Sequence, residues 1–241
     1  MILETDTDLL AEQDLRVSEH KLWLSGFFGI AGQASFMKTA KDPDDYTPVI
    51  GKADKDKNYI IRLRELFGGG KYPQGDSWIW RIYGFRAADI ITMLGPFLPS
   101  HSSFVAAVTD WKSCQSPSER AEVAYGYKEN LLNQQIDGYK GIQIYRLYLE
   151  LIDQPKRVAG ILDNRLSLKQ NKESSINSKN RLLTQALADK FNGSNILLEQ
   201  YGPNPNNHTK IYRSSQVNFG KESTQGLLEF AGRELLVISN K

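Results

Sequence analysis

The spacing of apolar positions along the chain switches repeatedly between a helical period and a strict alternation, and it does so twice in the same order. In the first half, the helical stretch NYIIRLRELF ends at Phe67, gives way to GGGKY, then to the strand-like WIWRIYGF, and then to the helical ADIITMLGPFL. In the second half, NRLLTQALADKF ends at Phe191 and is followed by NGSNILLEQYG, KIYRSSQVNFG and STQGLLEFAGREL. Each half reads as helix, strand pair, helix, strand pair, helix. Glycine follows each middle helix, where a left-handed cap is expected, and Tyr72 to Tyr83 reads as a hairpin turning through Gly75-Asp76. Alternation in WIWRIY assigns Trp78, Trp80 and Ile82 to a helix-covered face and Ile79, Arg81 and Tyr83 to the opposite one.

The parallel extends upstream. LWLSGFFGIAGQASF (Leu22 to Phe36) matches RVAGILDNRLSL (Arg157 to Leu168) when Gly26 is set on Gly160, with small and bulky apolar residues in matching places. An internal duplication decides the architecture before any motif is read. Fewer residues separate Leu166 from Phe191 than Gly32 from Phe67, so the second sheet is expected to be the smaller. Ser102 to Gln135, interrupted near Ser116-Pro117, and Tyr139 to Ile152 read as helices too rich in apolar residues for a bare linker. The expected organisation is an acidic arm (1–20), a first repeat (21–98), a helical connection (99–152) and a second repeat (153–241).

Composition changes this picture little. The 241 residues are 40% hydrophobic and 24% charged, which is ordinary for a globular protein and sufficient for a core. Cys114 is the sole cysteine, which excludes an internal disulfide or cysteine-based zinc site and fits a reducing, intracellular compartment. His20, His101 and His208 lack ligand spacing, no stretch is long and apolar enough to span a bilayer, and the acidic start lacks the basic flank of an export signal. Charge is more informative. The net +2 hides six acids against Arg16 within residues 1–19, leaving +7 for the remainder, and Lys156 to Arg181 alone holds seven basic residues against two acidic ones. Such blocks can neutralise phosphates. The acidic arm reads as a solubilising tail or, alternatively, as a DNA mimic covering the basic face.

LSGFFGIAG (Leu24 to Gly32) resembles the signature of the LAGLIDADG homing endonucleases, and VAGILDNRL (Val158 to Leu166) resembles a more eroded second copy. LRELFGGG followed by DIITMLGPFL is also similar to this family, so the resemblance covers most of the chain. It implies an α+β fold of two αββαββα units related by a pseudo-two-fold axis, with antiparallel sheets forming a DNA-binding saddle in a monomer. It further implies that the signature helices meet through small residues, here Ser25 and Gly26 with Ala159 and Gly160, since only small side chains let helix backbones approach closely.

The family's chemistry rests on an acidic residue at the eighth signature position of each copy, the pair holding divalent metal ions that activate water. Those positions here are Ala31, which offers no ligand, and Arg165, whose permanent charge repels a cation. No catalytic residue, metal or other cofactor is therefore expected. Magnesium would enter only through a relocated site. Asp163 lies two residues before Arg165, roughly 200° away around a helix, and His101 is the sole candidate for the family's basic residue after the third helix. Arg165 could instead grip a backbone phosphate directly.

Expected nucleic-acid contacts are Gln33, Lys38 and Lys41 after the first signature, Lys71, Arg81 and Arg86 around the first hairpin, Arg165, Lys169 and Lys172 around the second signature, and Lys210, Arg213 and Gln216 in the second hairpin. The leading expectation is a sequence-selective double-stranded DNA-binding protein without nuclease activity. The alternatives are an RNA-binding, maturase-like protein, an endonuclease with a relocated metal site, and a protein-protein assembly factor.

Overall fold

The computed structural model describes residues 6–31, 33–39, 45–133, 138–169, 171–178, 180–202 and 210–232. The chain runs α1 (Asp6–Glu19), α2 (Lys21–Ala31), β1 (Gln33–Lys38), β2 (Tyr46–Asp54), α3 (Lys57–Phe67), β3 (Gly70–Gln74), β4 (Ser77–Tyr83) and α4 (Gly84–Leu94). Two short 3-10 turns lead to α5 (Ser102–Ser113), α6 (Pro117–Asn133) and α7 (Gly138–Leu151). The order then repeats as α8 (Pro155–Arg165), β5 (Leu166–Leu168), β6 (Ser174–Ser178), α9 (Arg181–Lys190), β7 (Ser194–Gly202), β8 (Lys210–Phe219) and α10 (Lys221–Ala231). The two sheets are antiparallel with the same strand order, β1-β2-β4-β3 and β5-β6-β8-β7. Two compact units result, and α2 is divided between them: residues through Leu24 group with the first, and Ser25–Ala31 group with the second.

In the first unit, Asp56 caps α3 by accepting from the amides of Asn58 at 2.9 Å and Tyr59 at 3.3 Å, which satisfies donors that a helix start leaves open. The helix buries Tyr59, Ile60, Leu63 and Phe67 and ends on Gly68, whose φ of 70° suits a residue without a Cβ. One face of the sheet packs on helices. Phe36 meets Phe104 with ring centroids 5.5 Å apart, Tyr46 meets Tyr125 at 4.8 Å, and the indole of Trp111 donates to the Tyr46 carbonyl at 2.7 Å. Trp80 and Ile82 are buried on this face as the alternation predicts. Ile79, assigned to the outer face, is nevertheless only 2% exposed. Its cross-strand neighbours Tyr72 and Ala53 share its face, and a side chain in a central strand is covered by its neighbours as well as by whatever packs above it.

In the second unit, the sheet lies on a layer rich in hydroxyls. Ser174, Ile176 and Ser178 of β6 and Ser215, Val217 and Phe219 of β8 are all buried. Ser174 shares a hydrogen bond of 2.9 Å with Thr224 of α10, and Thr184 of α9 donates to Ser215 at 2.8 Å, so each buried hydroxyl named here has its partner. The first strand pair is short as expected, with three and five residues. The sheet as a whole is not smaller, because β7 and β8 have nine and ten residues where β3 and β4 have five and seven. Strand length in this hairpin is set by where its turn falls, and Gly75-Asp76 closes the first hairpin early. The cap of α9 also departs from expectation. The positive φ of 52° falls on Asn192, and Gly193 serves a different need: a Cβ there would lie 2.7 Å from the Phe219 ring.

The tightest packing in this unit joins Ser25–Ala31 to α8. A Cβ on Gly26 would lie 2.0 Å from the Arg157 carbonyl oxygen and 3.2 Å from the Ile161 nitrogen, so the two backbones are in direct contact. Trp23 to Gly29 and Arg157 to Asn164 are buried without interruption, as in helices enclosed on all sides. Ser25, Ala159 and Gly160 belong to these runs, and Ser25 accepts from the Arg157 guanidinium at 2.8 Å. Asn164 donates to the Phe27 carbonyl. Asn180, which caps α9 by accepting from Leu183 at 3.2 Å, donates to the Gly29 carbonyl at 3.1 Å and to the Tyr148 hydroxyl at 2.7 Å. Gly26→Ala should therefore lower the unfolding free energy by about 3 kcal/mol or more, since the obstacle is backbone and cannot rotate aside. Urea denaturation measures this, and a change smaller than that seen for a helical glycine with open space beside it, such as Gly126, would contradict the contact.

Candidate nucleic-acid interface

Strand pleating sorts the residues of each sheet into a helix-covered face and an open one. In the first sheet the register Gln33–Gly51–Arg81–Gly70 crosses all four strands, so Arg81 stands on the face opposite Trp80. Gly51 is required there, because a Cβ would meet the Trp80 carbonyl at 2.6 Å and the Arg81 side chain at 2.9 Å. Arg81 is half-buried, donates to the Tyr83 hydroxyl at 3.3 Å and flanks Tyr83, whose ring packs edge-on against Tyr72 at 6.3 Å. Ser35 and Thr47 complete this open face at its other end.

Lys38 and Lys71 do not join Arg81. Both stand on the opposite pleat, Lys38 over the ring of Tyr46 at 5.5 Å and Lys71 over Trp78 at 5.3 Å, with Lys57 of α3 over the same indole at 4.6 Å. Arg86 is engaged elsewhere. Its guanidinium donates to Asp14 at 3.2 Å, to Gln13 at 3.2 Å and to the Phe67 carbonyl at 3.1 Å, and so ties α1 to the exit of α3. The acidic start of the chain is thus a helix with Val17 buried, docked through this arginine.

The open face of the second sheet is built from two cross-strand rows, Ser167–Ser175–Asn218–Ser194 and Asn177–Gln216–Ile196, with Ser214 paired to Leu198 beyond them. All of these are exposed or half-exposed, and none is charged. Gln216 donates to Asn218 at 2.7 Å. Gln216 was expected from the sequence as a candidate contact, and the structure sets Asn177, Asn218 and several serines, none of them named from the sequence, on the same face. The signal lay in the alternation of Gln216 and Asn218 with Val217 and Phe219, but serines occupy both faces of β6 and conceal its pattern.

Lys169 and Lys172, both exposed, form the β5–β6 turn, where Lys172 has a φ of 65°. With Leu168 they line a cleft of about 610 Å³ against Lys221, Thr224, Gln225, Leu228 and Glu229 of α10, on the helix side of the sheet. Lys221 escaped the sequence reading. Lys41 lies outside the described residues. Gln33, Lys210 and Arg213 occupy strands β1 and β8, where only their backbone pairing is described.

Ala31 and Arg165 close α2 and α8. Arg165 is exposed, whereas Asp163 is 4% exposed within a helix that continues past it, and so lies on a different side. Among the described residues, no three His, Cys, Asp or Glu side chains cluster as metal ligands do. A methyl group and a guanidinium supply no lone pair to a hard cation, so these two positions do not fit magnesium.

Matched sheet order, paired signature helices and their contact at Gly26 together define a known architecture. The chain has the duplicated LAGLIDADG homing-endonuclease fold. It superposes with a TM-score of 0.56 on I-SmaMI bound to cleaved DNA, at 13% identity over 88% of this chain and 83% of that one. A second I-SmaMI structure, bound to an uncleaved DNA target in the presence of calcium ions, gives 0.53 at 12% identity over 88% and 84%. No family model matches the sequence, and no curated protein matches it. Among the described residues no helix is long and apolar enough to cross a membrane. Within this LAGLIDADG fold, Arg86 holds structure together: Arg86→Ala should cost about 1–2 kcal/mol and make α1 the earliest site of cutting in limited proteolysis. Unchanged stability and unchanged cutting would show the docking to be energetically idle.

Proposed function

We propose that this protein binds double-stranded DNA with sequence selectivity and does not cleave it. One observation carries the reading: the face of each sheet turned away from its helices carries groups that hydrogen-bond, Arg81 with tyrosines around the buried Val49 and Ile79 on the first and amides with hydroxyls on the second. Antiparallel ribbons of this kind fit the major groove, whose edges present donors and acceptors in base-specific patterns. The fold is that of I-SmaMI, a LAGLIDADG homing endonuclease with a DNA target.

Cleavage by this fold's established route needs two carboxylates. By the resemblance the corresponding positions here are Ala31 and Arg165, the last residues of α2 and α8. Arg165, exposed at the tip of α8, offers a guanidinium to a backbone phosphate, where two parallel N–H donors match two phosphate oxygens. It would thus hold the duplex at the tip of α8.

The test is selection of bound sequences from random duplexes alongside structured RNA, with magnesium or manganese present and products examined for nicks. A recovered duplex motif, intact strands and affinity that falls steeply with salt are expected. Arg165→Glu should weaken duplex binding at least about tenfold, as expected for losing a charge-assisted bidentate contact and gaining repulsion. Preferential recovery of RNA, or strand cutting abolished by removing the metal, would overturn the proposal.

A further inference from the structure

The two open faces differ in chemistry, and the difference specifies what each can read. We propose that the second sheet recognises an A·T-rich segment of the target, with the Gln216–Asn218 amide pair reading adenine and Ile196 beside it meeting thymine methyl groups. This rests on the duplex-binding reading above and adds base identity to it.

Guanine presents two acceptors, N7 and O6, to the major groove, and the side chains that satisfy both are arginine and lysine. The rows that hold Gln216 and Asn218 contain neither, and Lys210 pairs with Gly202 six residues away along β8. Adenine presents an acceptor at N7 and a donor at N6, which an amide meets with one donor and one acceptor. Gln216 and Asn218 are fixed for this. The hydrogen bond of 2.7 Å from Gln216 Nε2 to Asn218 Oδ1 consumes one donor and one acceptor of the pair. Gln216 Oε1, the second Nε2 hydrogen and Asn218 Nδ2 remain available on the open side. The bond also restrains both side chains before any ligand arrives, which reduces the ordering cost of contact.

The same arrangement rejects guanine. Gln216 Oε1 placed against O6 sets two acceptors face to face, and a buried acceptor without a donor is costly. Ile196, 48% exposed, lies in the cross-strand row of Asn177 and Gln216, where its apolar surface suits the C5 methyl of thymine. Asn177, exposed in that row, extends the amide surface by one strand. The serines of the neighbouring row accept or donate and impose no base.

Random-duplex selection with the full chain, wild type against Gln216→Ala, Gln216→Arg and Arg81→Ala, tests this. The wild type should yield a motif containing a block of A·T pairs. Gln216→Ala should lose the adenine preference at one position of that block and weaken binding to the wild-type site between about five- and a hundredfold. Gln216→Arg should convert that adenine to guanine, a change of specificity that damaged folding cannot produce. Arg81→Ala should leave the block intact. A wild-type motif without an A·T block, or a block unmoved by both Gln216 variants, overturns the inference while leaving duplex binding in place. Recovery of no duplex motif at all overturns both.

Discussion

Everything in the second unit is arranged around the place where two helix backbones touch. Gly26 meets the carbonyl of Arg157 at a separation that leaves no room for a methyl group. Such contact brings side chains on either side within reach of the opposing main chain, and several use it. Asn164 donates to Phe27, and Asn180 donates to Gly29, so the last turns of α2 and the start of α9 are held by amide-to-carbonyl bonds rather than by packing alone. Arg157 shows the cost of this proximity. Its side chain is fully buried, and burial pushes its pKa down to about 10, still far above neutrality, so the unit encloses a cation. The Ser25 hydroxyl at 2.8 Å and the face of Tyr148 at 5.9 Å compensate in part.

Much of this was legible in the sequence because glycine and apolar periodicity speak for backbone geometry. Gly26, the exit at Phe67, the hairpin at Gly75 and the break before Pro117 all follow from residues with few alternative uses. The first helix did not announce itself, since Asp6–Glu19 reads as an acidic tail until Val17 and the partners of Arg86 are known. Lysines were the least legible residues. Lys38, Lys57 and Lys71 lie over aromatic rings on the helix-covered pleat, and the parity that decides this depends on strand register, which charge alone does not reveal. β6 was opaque for a related reason. A core layer of serines satisfied by Thr184 and Thr224 removes the hydrophobic alternation by which a strand's buried face is usually recognised.

The two sheets share strand order but present different chemistry on the faces turned away from their helices. The first concentrates a cation and two tyrosines around Arg81, with Gly51 cleared of a side chain so that the arginine can lie across its neighbour. The second spreads uncharged donors and acceptors over two rows, while Lys169, Lys172 and Lys221 line the cleft on the opposite, α10 side. A surface with few charges would gain little nonspecific attraction from a nucleic acid, so in the proposed complex its contribution would depend on matching particular base edges. Duplication supplied the scaffold twice, and divergence gave the copies different chemistry.

An arginine at the end of α8 also has a consequence for stability. The C-terminal end of a helix carries a partial negative charge, so a carboxylate there is unfavourable unless a cation sits beside it. Arg165 ends α8 in the orientation that the helix dipole favours, by about 0.3–1 kcal/mol at an exposed position. Without a cation beside it an acidic residue at that tip would be a net burden, and a basic one relieves it. Arginine at this position is thus favoured by the fold itself, and the phosphate contact proposed for it would draw on a residue that already serves the helix.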